Sequence, residues 1–354
     1  MYQWLRRFFS RAPGKAPQIP AAAAMDTVPV VAAAAASITA EHMPPALGKG
    51  GGISALQRHD IDANFTDWLF ENGNNADIFT NRTEDKILAA LDRIVASGQS
   101  GATLVRRMPG VIPQLLQRLR TENFSGAELA RLIAHDVVLV AAVVRLANNA
   151  LYNSAQSIDS IENAVLVIGH DGLRQLITIV TFRPIINLNS GQFTKSIAPR
   201  LWNQSEKCAI AARLLCQDEQ GDRFEAFMAG LVQNAGLIAA LRVIDQLFDG
   251  SEPIGSGSFC NALVQYTRSL SCSIAREWRF PEPVVRAIEE QGTSHRHATL
   301  SSVGKILATG DYLSKVHILT HQNRLNRDDP RLTRGLADKE RDCLKALDQV
   351  VDVV

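Results

Sequence analysis

A chain of 354 residues exceeds what one hydrophobic core ordinarily supports, and an apolar fraction of 46% supplies material for more than one lobe. Lysine and arginine number 37 against 36 aspartates and glutamates, which removes the bulk electrostatic case for a nucleic-acid partner or an anionic membrane. The five cysteines are odd in number and free of Cys-x-x-Cys spacing; they indicate neither a disulfide framework nor a zinc knuckle, and a cytoplasmic location is expected.

Residues 1–11 form a small basic amphipathic peptide, with Trp4, Leu5, Phe8 and Phe9 on one helical side and Arg6, Arg7 and Arg11 mostly elsewhere. Peripheral membrane contact or docking on a partner is its functional reading; without caps, two turns are marginal and a plain tail is the simpler one. Residues 12–60 are rich in alanine, proline and glycine and are read as a linker. The apolar run at 28–36 follows Asp26 and is interrupted by Pro29, unlike a secretory leader. The longest apolar run, residues 137–144, falls far short of a membrane span.

Residues 61–107 are expected to form a helical extension. Phe65, Trp68, Leu69 and Phe70 cluster as packing residues, with order resuming near Ile61. From Thr83 to Gly98, Ile87, Leu88, Leu91, Ile94 and Val95 recur at helical spacing. Residues 108–190 are expected to form a first helical lobe. Pro109 and Pro113 prevent a continuous helix, Ser125 and Glu128 form a capping box, Asp136 caps a helix over 137–151, and Ser160 caps one running to Gly169. No convincing alternating strand is present.

Residues 191–324 are expected to form a second helical lobe. Gly230 and Gly236 stand inside an apolar helical run, where glycine is costly unless another backbone approaches closely or the chain turns out sharply. Between them lies Gln233-Asn234. Residues 325–354 comprise a charged segment and a final helix whose face of Cys343, Leu344, Leu347 and Val351 packs on the body or on a second copy.

An ordered series now stands along the chain: Pro109-x-x-x-Pro113, Glu128-Leu129-Ala130, His135-Asp136, Arg145-Leu146-Ala147-Asn148-Asn149-Ala150-x-Tyr152, Ile161-Glu162-Asn163-Ala164 with Gly169, Gly172-Leu173-Arg174, Leu201-Trp202, Ala226-Phe227-Met228-Ala229-Gly230-Leu231, Trp278 and Pro281. It closely resembles the HD-related output domain family, HDOD, over roughly residues 108–313. The resemblance implies an all-α, two-lobed helical fold, a bacterial cytoplasmic setting and a regulatory rather than hydrolytic role, through a regulatory protein partner that it does not name. HDOD modules are relatives of the HD metal-dependent phosphohydrolases, in which histidines and aspartates hold a divalent cation. At the corresponding positions this chain has Gln204, Gln233, Asn234, Thr267, Gln291 and Asp311.

One carboxylate among carboxamides offers too little negative charge and no imidazole set for a catalytic cation. No metal, cofactor or catalytic residue is therefore expected. The carboxamides either cross-link buried helices or line a polar pocket for water, a nucleotide-like ligand or another helix. A non-catalytic signal-transduction module acting through protein–protein interaction is the leading expectation. The alternatives are a hydrolase with a rearranged site built from Asp311 and the late histidines, and a sensor of a nucleotide second messenger.

Other candidate chemistry has plain readings. His317 and His321, at i and i+4, can chelate a metal, but no third ligand is evident nearby and Arg324 disfavours a cation, so a solvated helix face is expected; His295 and His297 are read the same way. His135-Asp136 is explained by capping, the cysteines by small core positions, and residues 250–257 by a flexible loop rather than a phosphate cradle. Arg106, Arg107, Arg118 and Arg120 lack interleaved exposed aromatics, and no nucleic acid is expected.

Overall fold

The apolar periodicity resolves into helices. A computed structural model of the protein describes residues 52–71, 78–97, 191–216, 223–292 and 300–349, with scattered helical residues between 167 and 182. These belong to the unit Gly48–Val354. Among the described residues every regular element is helical and none is a strand. The expectations for residues 1–51, the Ser125–Glu128 box, His135-Asp136, the helix over 137–151, and His295 and His297 lie outside the described residues.

Helix α1, Ala55–Phe70, begins inside the segment read as linker. Its signal is a capping box: the Ser54 hydroxyl accepts from the Gln57 amide at 3.2 Å, and the Gln57 carboxamide oxygen accepts from the Ser54 amide at 3.2 Å. The flanking glycine run concealed it. Phe65 and Leu69 are buried and Trp68 and Phe70 half-buried against the core, as expected of packing residues. Helix α2, Arg82–Ala96, is capped by Asn81 and buries Ile87 and Leu91 completely.

Helix α3, Gln192–Leu215, is the central strut, on which α4 (Arg223–Val232), α5 (Ala235–Leu247), α8 (Ser302–His321), α10 (Asp338–Leu347) and α1 all pack. Around them α6 (Gly257–Glu277) lies on α5 and α2, and α7 (Glu282–Glu290) bridges α6 to α8; α9 (Pro330–Thr333) is a single turn. The first turn of α3 is capped from outside. Asp245 in α5 accepts from the Phe193 and Thr194 amides at 2.7 and 3.1 Å and from the Thr194 hydroxyl at 2.5 Å, supplying the acceptor that Gly191 lacks.

Close backbone approach explains both glycines of the apolar run. A Cβ on Gly230 would stand 2.7 Å from the Ala209 backbone in α3, and one on Gly236 would stand 2.6 Å from the Ser271 amide in α6. Gly310 of α8 meets α3 on another side, where a Cβ would stand 3.2 Å from the Ala212 amide nitrogen. Small residues therefore let α4 and α8 crowd against α3, and α5 against α6. The stretch Arg223–Leu247, which holds this apolar run, is also long and apolar enough to cross a membrane by composition, but 78% of its apolar window is buried in the helical body.

A fully buried carboxylate ties α2 to the loop before α6. Glu84 accepts from the Gly255 and Ser256 amides at 2.6 and 2.8 Å, the Ser256 hydroxyl at 2.7 Å and the Asn81 amide at 3.0 Å. The end of the loop expected to be flexible is thus a cradle after all, and the anion it holds is the protein's own. Phe182 packs between Trp278 and Phe280, with ring centroids 5.9 and 5.6 Å away, and the Arg174 guanidinium lies 3.8 Å from the Phe224 ring centroid.

Gly230→Ala is expected to lower the unfolding free energy by about 1–3 kcal/mol through overpacking. Glu84→Ala is expected to cost about 3 kcal/mol or more by stranding several buried donors. Urea denaturation with unchanged m-value checks both.

Candidate functional site

The helical run containing Gly230 and Gly236 is broken between them, at Gln233-Asn234, where α4 ends and α5 begins. Asn234 leaves helical geometry with φ −91° and ψ 3°. The Ser271 hydroxyl spans the break, donating to the Gln233 carbonyl at 2.6 Å and accepting from the Gly236 amide at 2.8 Å. The break turns both carboxamides toward α3 and α8.

There they meet Asp311. Gln204 Nε2 donates to Asp311 Oδ1 at 2.9 Å and to the Ser314 hydroxyl at 2.9 Å. Gln233 Nε2 donates to the same Oδ1 at 3.1 Å and to Cys208 Sγ at 3.1 Å. Asn234 Nδ2 donates to Gln204 Oε1 at 2.5 Å and to Ser205 Oγ at 3.0 Å. Because a carboxylate only accepts, it fixes the orientation of both glutamines; Gln204 then fixes that of Asn234.

The other carboxylate oxygen belongs to a lysine. Lys315, one turn beyond Asp311 on α8, places Nζ 2.6 Å from Asp311 Oδ2 and 2.6 Å from Asp62 Oδ1 of α1. Burial pulls this ammonium down, yet Asp311 and Asp62 together outweigh burial and hold it above its ordinary value. Helix α1 closes over the pair: Arg58 donates to the Ala308 carbonyl at 2.7 Å, and Arg200 of α3 donates to the Trp68 carbonyl at 3.2 Å. Burial lowers the Arg58 and Arg268 guanidinium values, opposed in both by the fields of Asp62 and Asp311.

Of the positions singled out in the sequence, Gln204, Gln233, Asn234 and Asp311 come together in one hydrogen-bonded network. Thr267 and Gln291 do not join it through their side-chain hydrogen bonds. The Thr267 hydroxyl donates to Val264 within its own helix at 3.1 Å, and Gln291 donates to the Ala287 and Gly304 carbonyls at 2.6 and 3.2 Å, tying the end of α7 to α8. Sequence reasoning missed Lys315, Asp62, Ser205, Ser271 and Ser314. Lys315 was accessible as an i, i+4 partner of Asp311; Asp62 carried no sequence signal for its partner.

A divalent cation does not fit these residues. Asp311 already receives three donors, the carboxamides present N–H groups to it, and Lys315, Arg58 and Arg268 supply three positive charges against the two of Asp311 and Asp62. The cysteines are equally unsuited to nucleophilic work. Burial pushes the thiols of Cys260 and Cys343 up to about 12 and that of Cys272 to about 11, and Cys208 is raised strongly by burial and by Asp311.

The solvated-face expectation fits His321, whose side chain is 43% exposed, but not His317. His317 is buried, and Asp348 after α10 stands 3.3 Å from its Nε2. The missing third donor stands just after the last helix, where sequence spacing could not place it.

The helical frame and the carboxamide-filled centre, taken over the described residues, define an all-helical module. Residues 105–294, over half the chain, match the HDOD domain, and the chain belongs to the HDOD family. Its fold is similar to that of a candidate metal-dependent phosphohydrolase from Shewanella amazonensis, with a TM-score of 0.53 at 18% identity, covering 75% of this chain and 98% of that one. A second candidate phosphohydrolase from the same organism gives 0.50 at 20% identity, covering 74% and 94%. An uncharacterized protein of Treponema pallidum is 21% identical over 193 residues, 52% of this chain and 37% of that protein. The chain thus spans little more than a third of that curated relative's length. At these identities the solved structures speak for the fold alone.

Lys315→Ala is expected to lower stability by about 2–4 kcal/mol, because Asp311 and Asp62 lose their shared cation. Since the folded state raises the lysine value, its contribution is complete below the ordinary 10.5 and fades as pH rises through the higher folded value. Urea unfolding of both forms at several pH values checks this. A disulfide reagent at mildly alkaline pH is expected to react slowly with the native chain and with all five thiols after denaturation.

Proposed function

We propose that the chain is a non-catalytic bacterial signal-transduction module of the cytoplasm that works by binding a regulatory protein partner. The observation that carries this reading is the occupation of Asp311 by Lys315, Gln204 and Gln233. A phosphohydrolase of the HD plan needs that carboxylate for a cation, and here it serves as the acceptor that ties α3, α4 and α8 together. HDOD membership supports a regulatory role.

The rearranged-hydrolase alternative draws on Asp311 and the late histidines. Asp311 and His317 are six residues apart on α8, which points their side chains about 120° apart around the helix, and His317 pairs with Asp348 instead. The ligand-sensor alternative needs the carboxamides to exchange their mutual hydrogen bonds for a nucleotide.

Purified protein with manganese or magnesium is expected to hydrolyse neither a phosphodiester nor a nucleotide above the protein-free rate. Metal-dependent turnover abolished by Asp311→Ala would overturn the proposal. Affinity capture from native extract, followed by saturable binding of the recovered partner to purified chain, is the positive result.

A further inference from the structure

Three side chains outside the Asp311 network converge at the far end of α8. The rings of His317 and His321 stack one helical turn apart, with centroids 4.0 Å apart and planes 27° apart. Asp348, immediately after α10, reaches both: its Oδ1 lies 3.3 Å from His317 Nε2 and 3.6 Å from His321 Nε2. All three donor atoms lie within 4.8 Å of one another. Zinc bonds to imidazole nitrogen and carboxylate oxygen are about 2.0–2.2 Å long, so tetrahedral ligands around zinc stand roughly 3.3–3.6 Å apart. Two edges of the triangle already have that spacing.

The polarity of His321 points the same way. Its Nδ1 lies 2.8 Å from the His317 carbonyl, which can only accept, so Nδ1 carries the proton. In the neutral ring Nε2 then presents a lone pair to the carboxylate oxygen of Asp348, and two lone pairs face each other unless a cation stands between them. A backbone hydrogen bond of this kind orients imidazole ligands in metal sites. Arg327 takes the opposite oxygen, Oδ2, and leaves Oδ1 to the histidines. Burial is graded, with His317 at 6%, Asp348 at 28% and His321 at 43% side-chain exposure. His321 also lines an open cleft with Thr320, Asn323, Arg324 and Asn326, through which an ion has a path.

We propose that His317 Nε2, His321 Nε2 and Asp348 Oδ1 bind a divalent transition-metal ion, with water completing its coordination. Two imidazoles and one carboxylate select zinc and its neighbours over magnesium or calcium. The bound ion latches the chain after α10 onto α8. It is separate from the carboxamide-filled site on the Asp311 side of the same helix and supplies no chemistry there. Arg327 reduces the charge that Asp348 offers, so binding is expected to be reversible.

The test uses the full chain, made without a metal-affinity tag and stripped with chelator. Zinc chloride is titrated by calorimetry, and cobalt(II) by its visible absorption. The expected result is one equivalent of either ion per chain, with zinc raising the thermal midpoint and magnesium leaving it unchanged. His321→Ala and Asp348→Asn should each weaken zinc binding by roughly tenfold or more and remove the thermal shift, while the exposed His59→Ala keeps both. His321 is nearly half exposed, so its loss leaves the fold intact by circular dichroism. Absence of saturable binding, or binding unchanged in both site variants, would overturn the proposal.

Discussion

The contact between Lys315 and Asp311 is the interaction around which this lobe is arranged. A carboxylate drawn from water by three packed helices needs a counter-charge, and the lysine one turn away provides it from the same helix. Once that pair is set, Gln204 and Gln233 have a fixed acceptor, and Asn234 has a fixed acceptor in Gln204. Asp62 extends the chain of charges to α1, so the helix before the matched family region becomes part of the same unit. The site thus holds a cation, but a covalently attached one.

Backbone approach is the second constraint. Gly230 and Gly310 bring α4 and α8 close enough to α3 for short carboxamides to reach across, and Gly236 brings α5 against α6 where Ser271 bridges the helix break. Larger residues would hold the helices apart and leave Gln204 and Asn234 unable to meet. The close helix contacts thus set the geometry in which these side chains hydrogen-bond to one another.

Much of this was legible along the chain. Gly230 and Gly236 called for close backbone approach or a sharp turn, since glycine inside an apolar helix is otherwise costly, and close approach is what the structure shows. The ordered HDOD-like series marked the helical plan, and the carboxamides at 204, 233 and 234 drew attention to the right place. Thr267 and Gln291 were placed by analogy of position, and a side chain at the right position on a helix can still bond to its own backbone, as both do. Glu84 stands in the first turn of α2, and its four donors come mostly from a loop far along the chain. Ser54 was passed over because a glycine run masked a cap that depends only on its next three residues.

The sequence by itself determined the helical class and marked the glycines as places of close approach or a sharp turn, since both follow from residue type and local spacing. Only the tertiary structure decided where charge is balanced. Asp62 meets Lys315, and Asp348 meets His317 and His321, across long stretches of chain. Electrostatic partners are set by distance in space and by burial, and neither is encoded in local periodicity.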